Sequence, residues 1–365
     1  MSGIFNRNIG ISIFGESHGP GIGVTINGLR PGITLDHDYI QGQMARRRPG
    51  YTSYSTPRKE QDQYEIISGV FEGKTTGTPL TMMIRNTDTR SRDYSKMTEV
   101  LRPGHADHTG LIRYEGFSDY RGSGHFSGRL TAGLVFAGAL AKSVLRDQGI
   151  IIGAQISKIG HIRDRRLQDI SQEALNNLLA KPFPTLDDMV AEEMKSFIHE
   201  VKDDHDSVGG EVRCFALNVP AGLGDPFFDS FESILSHLVF SVPAVKGISF
   251  GSGFKLSDMN GSESNDAYYY QEDRIKTRTN HNGGVIGGIT NGMPVDFTVV
   301  VKPTASIGKA QETVNIKKQA SETIETEGRH DPCIVPRVVP VLEAVLALTI
   351  LDFMTGSRPA SNPLG

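Results

Sequence analysis

From Ser127 to Gln148 the chain is rich in Ala, Leu, Val and Gly, carries polar residues only at scattered points, and stops at Gly149. That pattern predicts a helix with no solvated face and a glycine C-cap, and such a helix belongs at the centre of a fold. A second apolar stretch, Val338 to Met354, predicts another helix, interrupted by Glu343 and Asp352. Their charges and lengths suit core helices rather than membrane spans, and the N-terminal apolar run is broken by Arg7 before it can direct secretion.

What packs on these helices is partly legible too. Ile22 to Leu29, Tyr64 to Phe71, Glu211 to Val219 and Pro294 to Val301 read as strands, being short, β-branched and bounded by Gly or Pro. Helical periodicity marks Asp36 to Arg47, with Ile40 and Met44 on one face, and Leu186 to Val201, with Val190, Met194, Phe197 and Val201 aligned. Asp36 and Thr185 are the predicted N-caps, with Asp188 completing a capping box at the second. No linker, charge block, low-complexity tract or repeat divides the chain, so residues 1–365 read as one domain. Strands and helices mix without regular βαβ alternation, which favours layered sheets and helices over a Rossmann or barrel pattern.

The formal charge is −4, so any anion binding must come from locally clustered Arg and Lys rather than from the whole surface, which disfavours nucleic acid and anionic membrane. Cys214 and Cys333 lie far apart with no CxxC spacing, which fits a reducing cytoplasm better than a disulfide framework or a zinc site.

Four polar, glycine-flanked places could carry chemistry. Gly15-Glu16-Ser17-His18-Gly19-Pro20-Gly21 predicts a tight loop at a strand's mouth, open to close ligand approach. Arg46-Arg47-Arg48-Pro49-Gly50, with Arg58 and Lys59 following, is either a solvated helix end favoured by the helix dipole or a set of guanidinium groups for a highly anionic ligand. Arg102-Pro103-Gly104-His105-Ala106-Asp107-His108 sets an Arg beside a His, suited to holding an oxyanion and protonating it as it leaves. His105 and His108 also raise a metal site, for which two nitrogens and one acid are a weak ligand set. The C-terminal region supplies Asn280-His281-Asn282-Gly283-Gly284 with a second glycine pair at Gly287 and Gly288, then Lys302-Pro303-Thr304-Ala305-Ser306, then Gly328-Arg329-His330-Asp331-Pro332-Cys333. The glycine pairs make room for a flat ring or pyrophosphate, and equally suit tight turns; Thr304 and Ser306 are natural phosphate donors. G-x-S-x-G and P-loop motifs are absent, so residue types alone point to an enzyme acting on a multiply anionic small molecule and name no reaction.

Phe14-Gly-Glu-Ser-His-Gly19 with Asn27-Gly-Leu-Arg-Pro-Gly32, Arg102-Pro-Gly-His-Ala-Asp107 and Gly328-Arg-His-Asp-Pro-Cys333 together resemble the signatures of the chorismate synthase family, in that family's order. Lesser matches run from about residue 10 to about residue 355, so the resemblance covers essentially the whole chain. It implies an α/β fold of α+β type, a β-α-β layered sandwich with a central helical layer. It also implies loss of phosphate and a ring proton from 5-enolpyruvylshikimate 3-phosphate to give chorismate, with reduced FMN required and no net redox change.

By that resemblance His18 protonates the departing phosphate, His105 protonates or holds the reduced flavin near its N1 and C2 edge, and Ser17 with Asp331 relays the proton from flavin N5. Arg47, Arg48, Arg102 and Arg129 would hold the substrate's anionic groups. Gly287, Lys302 and Pro303, with Thr304, Ala305 and Ser306, would contact FMN, and Arg329 would lie close to substrate and flavin. A homotetramer is the family's usual form. Flavin reduction is left open between NADPH acting on this chain and an external flavin reductase.

One departure falls at Arg121-Gly-Ser-Gly-His125-Phe126-Ser127-Gly-Arg129, where His125 and Phe126 replace an Arg and a Ser of the usual pattern. Ser127 and Arg129 keep their places. His125 could donate to an FMN oxygen, while Phe126 could pack on the ring edge or in the core at the helix start. A flavin- or anion-binding module that docks a partner or RNA, and a metal-dependent lyase built on His105 and His108, are the competing readings.

Overall fold

The computed structural model describes residues 3–50, 62–87, 99–167, 169–272, 274–326 and 331–356. A first sheet joins β1 (Ile4–Asn6), β2 (Gly10–Gly15), β3 (Gly21–Asn27), β4 (Tyr64–Ser68) and β5 (Leu80–Arg85) in the order β1-β2-β3-β5-β4, every neighbouring pair antiparallel. A second joins β6 (Ile151–Ile159), β7 (Ile162–Arg163), β8 (Gly210–Leu217), β9 (Val245–Phe250) and β10 (Val295–Val301) in the order β9-β10-β8-β6-β7, also antiparallel throughout.

The alternation of side chains across a strand decides which face meets the core. In β3, Ile22, Val24 and Ile26 are buried toward the helices, as are Val295, Phe297, Val299 and Val301 in β10. In β8, Val212, Cys214 and Ala216 join the main core, while Phe215 and Leu217 point the other way into a smaller cluster with Leu175 and Leu178.

The helices, in chain order, are α1 (His37–Arg47), α2 (Asp107–Arg113), α3 (Thr131–Arg146), α4 (Gln172–Leu179), α5 (Asp188–Asp203), α6 (Phe231–Phe240), the single turn α7 (Gly261–Ser264) and α8 (Val335–Gly356). Between the sheets run α1, α3, α6 and α8: α3 touches β3 and β6, and α8 packs on β6 and β8. Every residue of α3 from Thr131 to Leu145 is buried. The stretch reaching back to Arg121, and α8, have the length and apolarity of a membrane span, but 94% and 89% of their apolar windows are buried inside the protein. A Cβ placed on Gly138 would lie 2.2 Å from the Cβ of Ala344, so glycine is what lets α3 and α8 cross this closely.

The two acids that interrupt the C-terminal apolar run are wholly buried and paired. Glu343 accepts from Arg46 Nη1 at 2.6 Å and Nη2 at 2.8 Å and from the Lys142 ammonium. Asp352 accepts from Arg7 Nη1 at 2.7 Å and from the Ile9 amide at 2.8 Å. They tie α8 to α1, α3 and the first sheet.

The layered sandwich and the Asp36 cap, which accepts from the Tyr39 amide at 3.0 Å, match the sequence reading. Two boundaries differ. Asp187, not Thr185, caps α5, accepting from the Met189 amide at 2.9 Å, so the helix starts later than the periodicity implied. The apolar segment begins as a 3-10 turn, Gly128–Leu130, before α3 proper, because Ser127 stays extended and caps that turn.

Candidate active site

A cavity of about 960 Å³ lies where the edge strands β1 and β9 meet the helical layer. Its polar walls come from the end of α1, the loop before α2, the turns leading into α3, the segment after β10 and the first turn of α8. Ile11, Ile13, Leu134, Leu238 and Val338 supply apolar wall.

Arg47, the last residue of α1, is buried, and its Nη2 forms an ion pair with Asp62 Oδ2. The other oxygen of that carboxylate accepts from Arg129 Nη1 at 2.8 Å. Arg129 Nε donates to Asn86 Oδ1 at 2.7 Å, and Asn86 Nδ2 donates to the carbonyls of Glu16 and Gly19, each at 2.9 Å. The loop bearing Ser17 and His18 is thereby fastened to the arginines. Both residues are buried directly behind Gly122: a Cβ there would lie 2.0 Å from His18 Nδ1 and 2.9 Å from Ser17 Oγ.

Arg102 grips Asp107 as a fork, Nε to Oδ2 at 2.8 Å and Nη2 to Oδ1 at 2.7 Å. His105 Nδ1 lies 2.6 Å from the same Oδ1, which orients the ring and leaves Nε2 for a ligand. Burial alone would raise the Asp107 carboxyl, but hydrogen bonds from Arg102 and His105 outweigh it and hold the group well below the usual carboxylate range. Arg102 Nη1 also reaches Ser306 Oγ at 3.3 Å. Lys302 Nζ donates to the Gly104 carbonyl at 2.5 Å, and Thr304 Oγ1 donates to the Asp331 carbonyl at 2.9 Å. Asp331 in turn pairs with Arg337, whose Nε donates to the Arg47 carbonyl at 3.0 Å.

Arg47, Arg102 and Arg129 thus line one cavity with His105, His125, Phe126, Ser127, Lys302, Pro303, Thr304, Ala305, Ser306 and Asp331. His125 Nδ1 lies 3.1 Å from the Gly15 carbonyl. Phe126 is 39% exposed, edge-on to Tyr114 and against Gly110 of α2, so its ring packs on α2 at the rim of the cavity. Arg46 turns away to Glu343, and Arg48 is half-buried without lining the cavity. Gly287 sits exposed in a hairpin turn between Val285–Ile286 and Ile289–Thr290, also outside the lining. Arg58, Lys59, Arg329 and His330 lie outside the described residues.

Sequence reasoning missed Asp62, Asn86 and Arg337. Asp62 and Asn86 carry no local signature. Arg337 does: a cation in the first turn of an otherwise apolar helix opposes the helix dipole and signals a tertiary partner. The apolar wall from the end of α6 to the start of β9 was not anticipated either. Among the described residues no three His, Cys, Asp or Glu side chains are grouped as metal ligands.

The family model described as chorismate synthase matches residues 9–355. A chorismate synthase of Cytophaga hutchinsonii is 44% identical over 357 residues, spanning 97% of each chain. One of Aeropyrum pernix is 43% identical over 344 residues, spanning 94% of this chain and 90% of its own. A solved structure titled as that of chorismate synthase superposes with a TM-score of 0.74 at 29% identity, covering 95% of this chain and 92% of the other. With a match this long, relatives this similar and the same architecture, the chain belongs to the chorismate synthase family of carbon–oxygen lyases.

Proposed function

We propose that this cavity carries out the 1,4-elimination of phosphate and a ring proton from 5-enolpyruvylshikimate 3-phosphate to give chorismate, with reduced FMN as cofactor. The observation that carries the reading is the convergence of Arg47, Arg102, Arg129 and Arg337, from four separate chain segments, on one cavity beside Lys302 and His105. The substrate holds a phosphate and two carboxylates, and forked guanidinium donors suit both.

The residues present fit a flavin. Among the described residues, the buried Arg47 Nε on the cavity wall and the buried Ser17 Oγ behind Gly122 have no hydrogen-bond partner, and Lys302, Thr304 and Ser306 offer polar side chains on the same wall. When bound, reduced FMN supplies electron density for departure of the phosphate and an acceptor for the ring proton. On this reading Lys302, Pro303, Thr304, Ala305 and Ser306 hold the cofactor, with His125, Phe126 and Ser127 at its other side. His105, its Nδ1 held by Asp107, would hold the cofactor through Nε2. Gly287, exposed in its turn outside the cavity lining, and Arg329 would also contact it, and a homotetramer is the proposed assembly.

Arg47, Arg102 and Arg129 orient the substrate's anions from the cavity wall, Arg48 adds its charge from outside the lining, and water is excluded by the apolar wall. His18 donates a proton to the leaving phosphate oxygen. Ser17 and Asp331 carry away the ring proton, so the C–H and C–O bonds are lost as the new double bond forms. Residues 1–365 act as one domain, because a single contiguous core links both sheets and the helices. The free, buried Cys214 and Cys333 suit a cytoplasmic location. The flavin is reduced either by NADPH acting at this chain or by an external flavin reductase; turnover under air with NADPH against anaerobic turnover with dithionite separates the two.

The test is the purified protein with reduced FMN and 5-enolpyruvylshikimate 3-phosphate. Stoichiometric release of phosphate and chorismate supports the reading, and its absence with nucleic acid co-purifying favours an anion-binding module instead. Activity that survives exhaustive chelation removes a metal-dependent lyase.

A further inference from the structure

We infer that Asp62 is the positioning residue of the arginine cluster, holding Arg47 and Arg129 at a fixed mutual angle for the substrate's anions. The inference rests on the reading that those arginines bind substrate.

The Asp62 side chain is completely enclosed, and each of its oxygens serves a different guanidinium: Oδ2 takes Arg47, Oδ1 takes Arg129 at 2.8 Å. Its backbone is bent to φ +49, a left-handed conformation that Asp tolerates better than most residues and that turns up where structure over-determines a site. Beyond Arg129 the chain of contacts runs through Asn86 to the carbonyls of Glu16 and Gly19, so the same carboxylate sets the angle of the loop holding Ser17 and His18. Arg47 keeps a buried Nε without a partner on the wall of the cavity.

A carboxylate here works against the site in one respect. It places a negative charge among groups meant to hold a polyanion, which weakens their long-range attraction. What it contributes is geometry: two long side chains that would otherwise lose rotamer freedom on binding are already ordered. The two effects have opposite signs, and that makes them separable. Asp62→Asn keeps the shape and removes the charge, but its amide presents N–H groups toward one guanidinium, which must then swing away.

The experiment is calorimetric binding of 5-enolpyruvylshikimate 3-phosphate to the flavin-free protein, alongside KM and kcat of the reduced-FMN enzyme and a thermal melt. Asp62→Asn is expected to weaken substrate binding and raise KM about tenfold or more, with a smaller change in kcat, the loss of one charged hydrogen bond converted to affinity. Unchanged or tighter binding, as removal of a negative charge alone predicts, overturns the inference. If Asp62→Asn does not fold, Asp62→Glu carries the test, since it keeps the charge and displaces it by one methylene: binding within about twofold of the natural protein overturns the inference. Arg47→Lys separates the two levels. Undiminished binding by that variant defeats the reading that arginines hold substrate, whereas a loss there with none at Asp62 defeats only the positioning role.

Discussion

Gly122 yields its side-chain space to His18: a Cβ at that position would stand 2.0 Å from the imidazole Nδ1. The glycine also holds φ +56, a conformation that disfavours any other residue. Gly122→Ala is therefore expected to push the imidazole out of place and lower kcat by on the order of 10²-fold, the effect of about an ångström of misplacement at a reacting group. Steady-state kinetics with a thermal melt check this; full activity in the variant would mean that the His18 ring position does not matter.

Removing the imidazole outright is the sharper probe of its role. His18→Ala should reduce the rate by about 10² to 10⁴-fold, the usual contribution of a positioned general acid. Single-turnover phosphate release measures it, and a rate within about tenfold of the natural enzyme sinks the assignment.

The buried triad of Glu343, Lys142 and Arg46 gives a stability prediction with a defined pH window. Burial alone would raise the Glu343 carboxyl, but Arg46 and Lys142 outweigh it and bring the value from 4.5 down to about 2, while burial dominates at Lys142 and lowers its ammonium. Because the folded value of Glu343 is depressed, its contribution is fully present above its ordinary value and is lost as pH falls from 4.5 toward about 2. Glu343→Gln should remove that part of the acid dependence and cost about 3 kcal/mol near neutrality, since the buried Lys142 and the half-buried Arg46 lose their counter-charge. Denaturant melts at several pH values test it; equal acid sensitivity in variant and natural protein would contradict it.

How far the sequence could be read depended on whether the deciding contact was local. The α3 and α8 helices were legible because an apolar run has nowhere to go but the core. Arg102, His105 and Asp107 were legible because their partnership closes within five positions. The three consecutive arginines show the limit. Arg46 and Arg47 lie about 100° apart around α1 and Arg48 follows its end in an extended conformation, and of the three Arg47 lines the cavity. Which one depends on Glu343, 297 positions away. Thr185 and Asp187 are both competent caps, and packing chose between them. Asp62 and Asn86 act entirely through distant partners, so nothing nearby in the chain announces them.

His125 tests the one departure from the family pattern. Its Nδ1 lies 3.1 Å from the Gly15 carbonyl on the cavity wall. His125→Ala is expected to raise the FMN dissociation constant by about tenfold, the worth of a hydrogen bond to an anionic or strongly polar group, while leaving the melting temperature near that of the natural protein. Fluorescence titration with FMN reads it directly, and an unchanged dissociation constant refutes the contact.

The central place of α8 has a consequence for how the molecule comes into being. It follows every other described element in the chain, yet Arg7, Arg46 and Arg47, far earlier, find their partners on it, across 345, 297 and 290 positions. Until Val335–Gly356 leaves the ribosome, α3 lacks the helix that packs most extensively against it. A chain with contacts this distant closes slowly and late. The emerging protein must therefore be kept from its neighbours until α8 is available, and its arginine site comes into register only when that helix packs between the sheets.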